Sequence, residues 1–181
     1  MARSPKLDII SAELNLSTSP KGKKMIKSWM VIGGVALIVA LATNIIPPSD
    51  FQWFNRLQRP RWLVFERTIP LIWTVIFICA AWSAVIVWEK EPGTQETWLR
   101  MGLYLLLEIV TMSYTSVMCR LRSLKVGTII GGTGAILSVI LALSVLQVSE
   151  PAALLLLPYI LWSPIGTYTT WVMMHLNPAD V

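Results

Sequence analysis

Apolar residues in this chain fall in long blocks instead of recurring at the three-to-four-residue spacing of a surface helix. Five stretches without basic residues are long enough to cross a hydrocarbon core about 30 Å thick at about 1.5 Å per residue. They run from Trp29 to Ile46, Thr68 to Trp88, Met101 to Cys119, Val126 to Val148 and Pro151 to Met174. An open sheet is excluded in lipid, because its edge N–H and C=O groups would lack partners, and the blocks are too long and too uniformly apolar for barrel strands. The expected fold is all-α: an integral membrane bundle of five transmembrane helices, one domain over residues 29–181. A polar basic N-terminal tail, 1–28, precedes it, and a loop of 21 residues, 47–67, joins the first two spans. That loop exceeds the usual connection length, which predicts a lid or a buried plug.

Local signals sharpen these limits. Asn44 to Pro48 closes span one with two consecutive prolines, which remove amide donors. Trp88 falls where an interfacial aromatic belt belongs, and Pro92 with Gly93 makes the next turn. The turn from Arg120 to Lys125 is so short that spans three and four should pack antiparallel. Span four opens GTIIGGTG, in which Gly127 and Gly131 form a GxxxG step. Close helix packing is its plain reading, and such a small-residue face also allows a homodimer. Ser149, Glu150 and Pro151 predict a capped start to span five, and Pro158 and Pro164 a kink within it. Span one reads as a retained anchor, not a cleaved signal. In the tail, Leu7, Ile10 and Leu14 would share one face of a short interfacial helix, although a disordered tail fits so few turns better.

Composition adds partners and exclusions. The 181 residues are 55% hydrophobic, include nine tryptophans and carry a formal charge of +5. The basic residues flank spans without forming a basic face interleaved with aromatics, so anionic lipid headgroups are the expected partner and nucleic acid is not. Counting Lys and Arg gives eight on the tail side and seven on the side of the tryptophan loop, or two against seven without the tail. The loops alone therefore favour a cytoplasmic tryptophan loop. Cys79 and Cys119 lack the spacing of a disulfide framework or a zinc site, and His175 is the single histidine, so no metal is expected. No nucleophile with an adjacent base and no phosphate-binding glycine loop is evident.

Chemistry concentrates in two places. The first is the run WFNRLQRPRWLVFERTIPLIWT from Trp53 to Thr74. Its arginines can stack on aromatic faces or clamp a carboxylate, and its tryptophans offer large flat surfaces with one N–H donor each. Such a set suits a flat, partly anionic ligand; equally, Trp53 and Trp62 could anchor the loop at the headgroup level. The second is Glu108, the one acid inside a span. A central acid costs about 2.5 to 3.5 kcal/mol on an insertion scale, so something must compensate it. Thr111 and Thr115 follow on nearly the same helical face, which turns Glu108 toward the bundle. It reads either as a ligand or proton site or as a protonated acid bonded to a neighbouring helix.

The tryptophan-rich run resembles the signature of the TspO and translocator-protein family, W-Y-x-x-L-x-K-P-x-W-x-P-P-x-W followed by aromatics in the second helix. Without a gap, the chain supplies Trp53, Phe54, Leu57, Arg59, Pro60 and Trp62, then Pro70, Trp73 and Phe77, and the match continues to Trp88. The family's P-Y-x-x-W and later L-N in the fifth helix find Pro158, Tyr159, Trp162, Leu176 and Asn177. Departures are equally clear. Val64 and Phe65 replace paired prolines, Arg67 a tryptophan, Thr111 an asparagine, Tyr114 a tryptophan, Thr115 and Ser116 a proline pair, and Thr170 a second asparagine. These leave span lengths intact while changing the donors and acceptors a ligand would meet.

By that resemblance, Trp73, Phe77, Thr111, Tyr114, Trp162, Gly166 and Thr170 would line a pocket under a lid containing Trp53, Arg59 and Trp62; Glu108 joins this ligand-binding set from the reading of the residues alone. Members of the family bind tetrapyrroles, sterols or benzodiazepine-like compounds. The implied function is a membrane-embedded binding protein for a flat hydrophobic small molecule, a tetrapyrrole (porphyrin or haem-like) or a sterol, acting as sensor, carrier or regulator. It is not expected to be an enzyme or to require a cofactor, although a tetrapyrrole could be bound. Two alternatives stand beside it: a structural or assembly subunit of a membrane complex that kept the fold and lost the ligand chemistry, and an intramembrane enzyme using Glu108 as an acid.

Overall fold

The computed structural model describes residues 27–43 and 47–180; the tail with Leu7, Ile10 and Leu14 lies outside them. Helix α1 covers Ser28–Thr43 and α2 covers Pro48–Arg56. A 3-10 turn, Glu66–Thr68, leads into α3, Ile69–Lys90. Then come α4, Gln95–Leu121, and α5, Leu124–Leu146. Helices α6, Glu150–Leu154, and α7, Leu157–Leu176, follow, with a last 3-10 turn at Pro178–Asp180. No strand occurs among the described residues. The protein is an all-α membrane bundle of five helices, with α6 and α7 together making the fifth. Glu66–Lys90, Gln95–Leu121, Leu124–Leu146 and Glu150–Leu176 have the length and hydropathy to cross a bilayer, and α1 is a shorter apolar helix.

The differences from the sequence pattern have local causes. Helix α4 starts at Gln95, ahead of the expected Met101, because Arg100 does not end the span. Its guanidinium is buried and meets Glu96 at 3.1 Å and Glu91, just before the helix, at 3.5 Å, so the charge is balanced by carboxylates although Nε and Nη1 make no hydrogen bond. Thr94 caps this helix by accepting from the Thr97 N–H at 3.1 Å. The expected kink in the fifth span is a break at residues 155–156. Pro158, in the first turn of α7, has no N–H to offer the carbonyl four residues back. Ser149 stands at the N-cap of α6 without a side-chain bond, and its hydroxyl is buried and unpartnered. With proline at the second helical position, one of the two amides that such a hydroxyl normally binds is missing. The loop between the first two spans contains the short helix α2, with proline at its start, Asp50 in its first turn and Arg56 in its last.

Helix α5 packs along both α4 and α7, while α1 lies against α3 and α4. Alternation of direction puts α2, the loop to Thr68, the α4–α5 turn and the C-terminal turn at one end, here called the lid end. The turn at Arg122 is tight enough to need a left-handed residue, with φ of 50°. Two buried clusters result. At the far end, Ile76, Val87, Leu107, Leu141, Val145, Ala152, Ala153, Leu156 and Tyr159 join α3 to α7. Beneath the lid, Trp53, Leu57, Met118, Cys119, Leu124 and Met173 pack together. Ser83 serves the far cluster by donating to the Ala152 carbonyl at 2.7 Å and meeting the Tyr104 hydroxyl, which satisfies polar groups that lipid could not.

Candidate functional site

Between the two clusters, α3, α4, α5 and α7 leave a partly open cavity of about 580 Å³, lined toward the lid end by residues of the loop. That volume falls within the range of small-molecule sites, about 300 to 1,000 Å³. Its α7 wall is centred on one helical stripe, in which Tyr159, Trp162, Ser163, Gly166, Thr170 and Met173 recur at three- and four-residue steps, with Ile165, Thr167 and Thr169 beside it. Its α5 wall is made by Leu124, Ile130, Gly131 and Gly134. A Cβ on Gly131 would stand 2.7 Å from Thr167 Oγ1, and one on Gly134 would stand 2.9 Å from the Tyr159 hydroxyl. The GxxxG step of Gly127 and Gly131 is thus used inside the bundle, where it lets α7 side chains approach the α5 backbone.

Two hydrogen-bonded pairs span the cavity from α4 to α7. The Tyr159 hydroxyl meets Thr111 Oγ1 at 2.5 Å, and the Tyr114 hydroxyl meets Thr170 Oγ1. Both threonines also donate to their own helix, Thr111 to the Leu107 carbonyl at 2.6 Å and Thr170 to the Gly166 carbonyl at 3.2 Å. Each threonine proton is then committed, so each tyrosine is the donor of its pair. Thr111, Tyr114 and Thr170, three of the positions at which the sequence departs from the signature it resembles, are thus all held in these two pairs.

Aromatic rings form the rest of the wall. Trp73 meets Tyr159 edge-on at 5.6 Å and lies 5.8 Å from Phe77, while Phe65 meets Trp162 edge-on at 6.1 Å. Trp62 lies outside this layer, 42% exposed, stacked on Tyr168 at 6.2 Å and tilted toward Phe65 at 6.4 Å.

The lid is held from within and from the C terminus. Arg59 Nε donates to Glu66 Oε1 at 2.7 Å, and its other nitrogens donate to the carbonyls of Leu57, Asn55 and Phe54 at 3.1, 3.3 and 3.5 Å. The guanidinium also lies over the Phe54 ring at 5.2 Å. Asn177 donates from Nδ2 to the Gln58 and Met173 carbonyls at 3.0 and 2.8 Å, and its Oδ1 accepts from the Gln58 N–H at 2.8 Å. Asp180 accepts from Trp53 Nε1 at 2.7 Å and from Arg56 at 3.3 Å. On the opposite side Arg122 approaches Asp50 at 3.7 Å.

Of the residues singled out in the sequence, Arg59, Trp73, Phe77, Thr111, Tyr114, Trp162, Gly166 and Thr170 stand on the cavity wall. Trp53, Trp62 and Glu108 do not: Trp53 is buried beneath the lid, Trp62 covers the layer behind Phe65, and Glu108 is half-buried off the wall. Tyr159, Phe65, Glu66, Ser163 and Thr167 reach the wall without having been proposed. Tyr159 and Ser163 were legible as members of the α7 stripe, whereas Phe65 and Glu66 reach it through a loop path that no periodicity describes. Cys79 and Cys119 are free, and no cluster of three His, Cys, Asp or Glu that could hold a metal occurs among the described residues.

Comparison with known proteins agrees with this arrangement. A model of the TspO/MBR family matches residues 29–176. The chain is 27% identical over 154 residues to the tryptophan-rich protein TspO of Bacillus cereus, covering 84% of this chain and 99% of that protein. To the TspO of Chlorobaculum tepidum it is 25% identical over 156 residues, 86% of this chain and 99% of that one. To the translocator protein of Ovis aries it is 25% identical over 161 residues, 84% and 94% respectively.

Proposed function

Because the chain belongs to the TspO/MBR family, in which membership implies a membrane-embedded sensor or binding protein, we propose that its cavity binds a flat hydrophobic small molecule, a tetrapyrrole or a sterol. The observation that carries this reading is the aromatic wall of Phe65, Trp73, Phe77, Tyr159 and Trp162 around about 580 Å³ beneath a tethered lid. Apolar burial would drive binding at about 25 cal/mol per Å² removed from water. The rings would add stacking, and the hydroxyl pairs and indole N–H groups would set orientation. Burial between helices and lid would exclude water from the ligand and give it a slow exit. The protein would then act as a sensor, carrier or regulator, not as an enzyme.

The test is tryptophan fluorescence of the purified protein in nanodiscs, titrated with a porphyrin and with a sterol. Saturable quenching that weakens at least tenfold in Trp73→Ala and Trp162→Ala is expected. If neither compound quenches saturably, or if both variants match the wild type, the reading is wrong.

A further inference from the structure

We infer that, granted the ligand-binding reading above, on which this rests, the cavity selects an uncharged ligand and discriminates against carboxylates. The wall carries two charged side chains, Arg59 and Glu66, and they are spent on each other at 2.7 Å. Three of the other four Arg59 N–H groups go to lid carbonyls, leaving one on Nη2. A ligand carboxylate reaching for Arg59 would have to evict Glu66 or lie beside it, and either outcome leaves two negative charges against one positive at a partly desolvated mouth. Arg61 and Arg67 are exposed elsewhere on the lid and take no part in the wall.

Deeper in the cavity, the proton count points the same way. An ionised carboxylate is acceptor-only and needs donors. Thr74, Thr167 and Thr169, like Thr111 and Thr170, donate to the carbonyl four residues back, Ser163 bonds to Tyr159, and Thr115 adds one more neutral hydroxyl to the wall. The Tyr114 and Tyr159 protons are committed to Thr170 and Thr111. What the pairs still offer is a lone pair on the Tyr114 oxygen, that of Tyr159 being met by Ser163, and it suits an N–H or O–H on a neutral ligand. Neutral donors such as the indoles remain, and a carboxylate placed there would keep its whole charge with no cation to balance it. The chemistry recognised is an uncharged polycycle or macrocycle with a neutral polar edge.

The experiment compares a dicarboxylic porphyrin with its primary diamide, which is close in shape and uncharged, using saturable tryptophan quenching in neutral-lipid nanodiscs at one pH above the carboxylate range. The diamide should bind at least tenfold more tightly than the diacid. In Glu66→Gln, which releases Arg59 while keeping the side chain's shape, the preference for the diamide over the diacid should fall by about tenfold, through tighter diacid binding. Equal or tighter binding of the diacid by the wild type would overturn the inference while leaving the binding site standing. Unaltered discrimination in Glu66→Gln would also overturn it, as would loss of discrimination through weaker diamide binding. Saturable binding of neither porphyrin, with none of a sterol, would remove the binding reading itself and the inference with it.

Discussion

Asn177 is the strongest single tie between the lid and the helices, and its replacement by alanine should loosen the lid without unfolding the bundle. The residue is 9% exposed and its side chain makes three hydrogen bonds, of which the two to Gln58 cross from the end of α7 to the loop. The third, to the Met173 carbonyl, is backed by the Asn177 backbone N–H at 3.0 Å, so that carbonyl keeps a partner. The net loss is therefore the two lid bonds, each worth about 0.5 to 1.5 kcal/mol, or about 1 to 3 kcal/mol together. At about 1.4 kcal/mol per factor of ten, the population of lid-open molecules should rise about five- to a hundredfold. Trp53 and Arg56 stay bonded to Asp180, which limits the opening to the segment after α2. Hydrogen exchange in nanodiscs reads this at the Gln58 amide, whose acceptor the substitution removes and which should lose protection by at least that factor. The Leu63 amide, bonded within the loop to the Pro60 carbonyl at 3.0 Å, should change less. Asn177→Asp should be at least as damaging, because it keeps one acceptor for the Gln58 N–H and sets a carboxylate oxygen against two carbonyls. Unchanged exchange at Gln58 in Asn177→Ala would refute the assignment of these bonds as the lid's tether.

Other expectations concern the walls. Gly131→Ala should destabilise by about 1 to 3 kcal/mol through overpacking against Thr167, whereas Gly132→Ala, with nothing within 4 Å, should be neutral or gain up to about 1 kcal/mol of helix propensity; thermal unfolding in detergent separates the two. A double-mutant cycle of Tyr114→Phe and Thr170→Val should give a coupling of about 0.5 to 1.5 kcal/mol, and a value of zero would deny that the pair is a bond. Glu108→Gln should leave ligand affinity within about twofold of wild type at neutral pH, since the side chain stands off the wall; a tenfold change in the quenching titration would place it in the site after all.

Much of the architecture was legible because lipid removes alternatives. A backbone that cannot bond to water must be helical, so blocks of apolar sequence translate directly into spans. Errors came where side chains, not backbone, settled the matter. Arg100 looked like the end of a span and is a buried, compensated charge within one. The α7 stripe could be read from helical spacing, and the tryptophan motif marked the loop. The partnership of Tyr114 with Thr170 joins positions 56 apart, and that of Tyr159 with Thr111 positions 48 apart. Neither distance is visible in a periodicity.

The sequence by itself determined that this is a five-span helical membrane protein of recognisable family, because helix length, hydropathy and the tryptophan motif are local properties. Only the tertiary structure decided what the site offers a ligand. Arg59, which as a sequence feature promised a carboxylate clamp, is closed by Glu66 and by the loop's own carbonyls. The substituted positions in α4 and α7, which looked like separate departures, bond across the cavity. A side chain's type fixes how many hydrogen bonds it can make, but folding decides which are already taken, and a binding site works with the remainder.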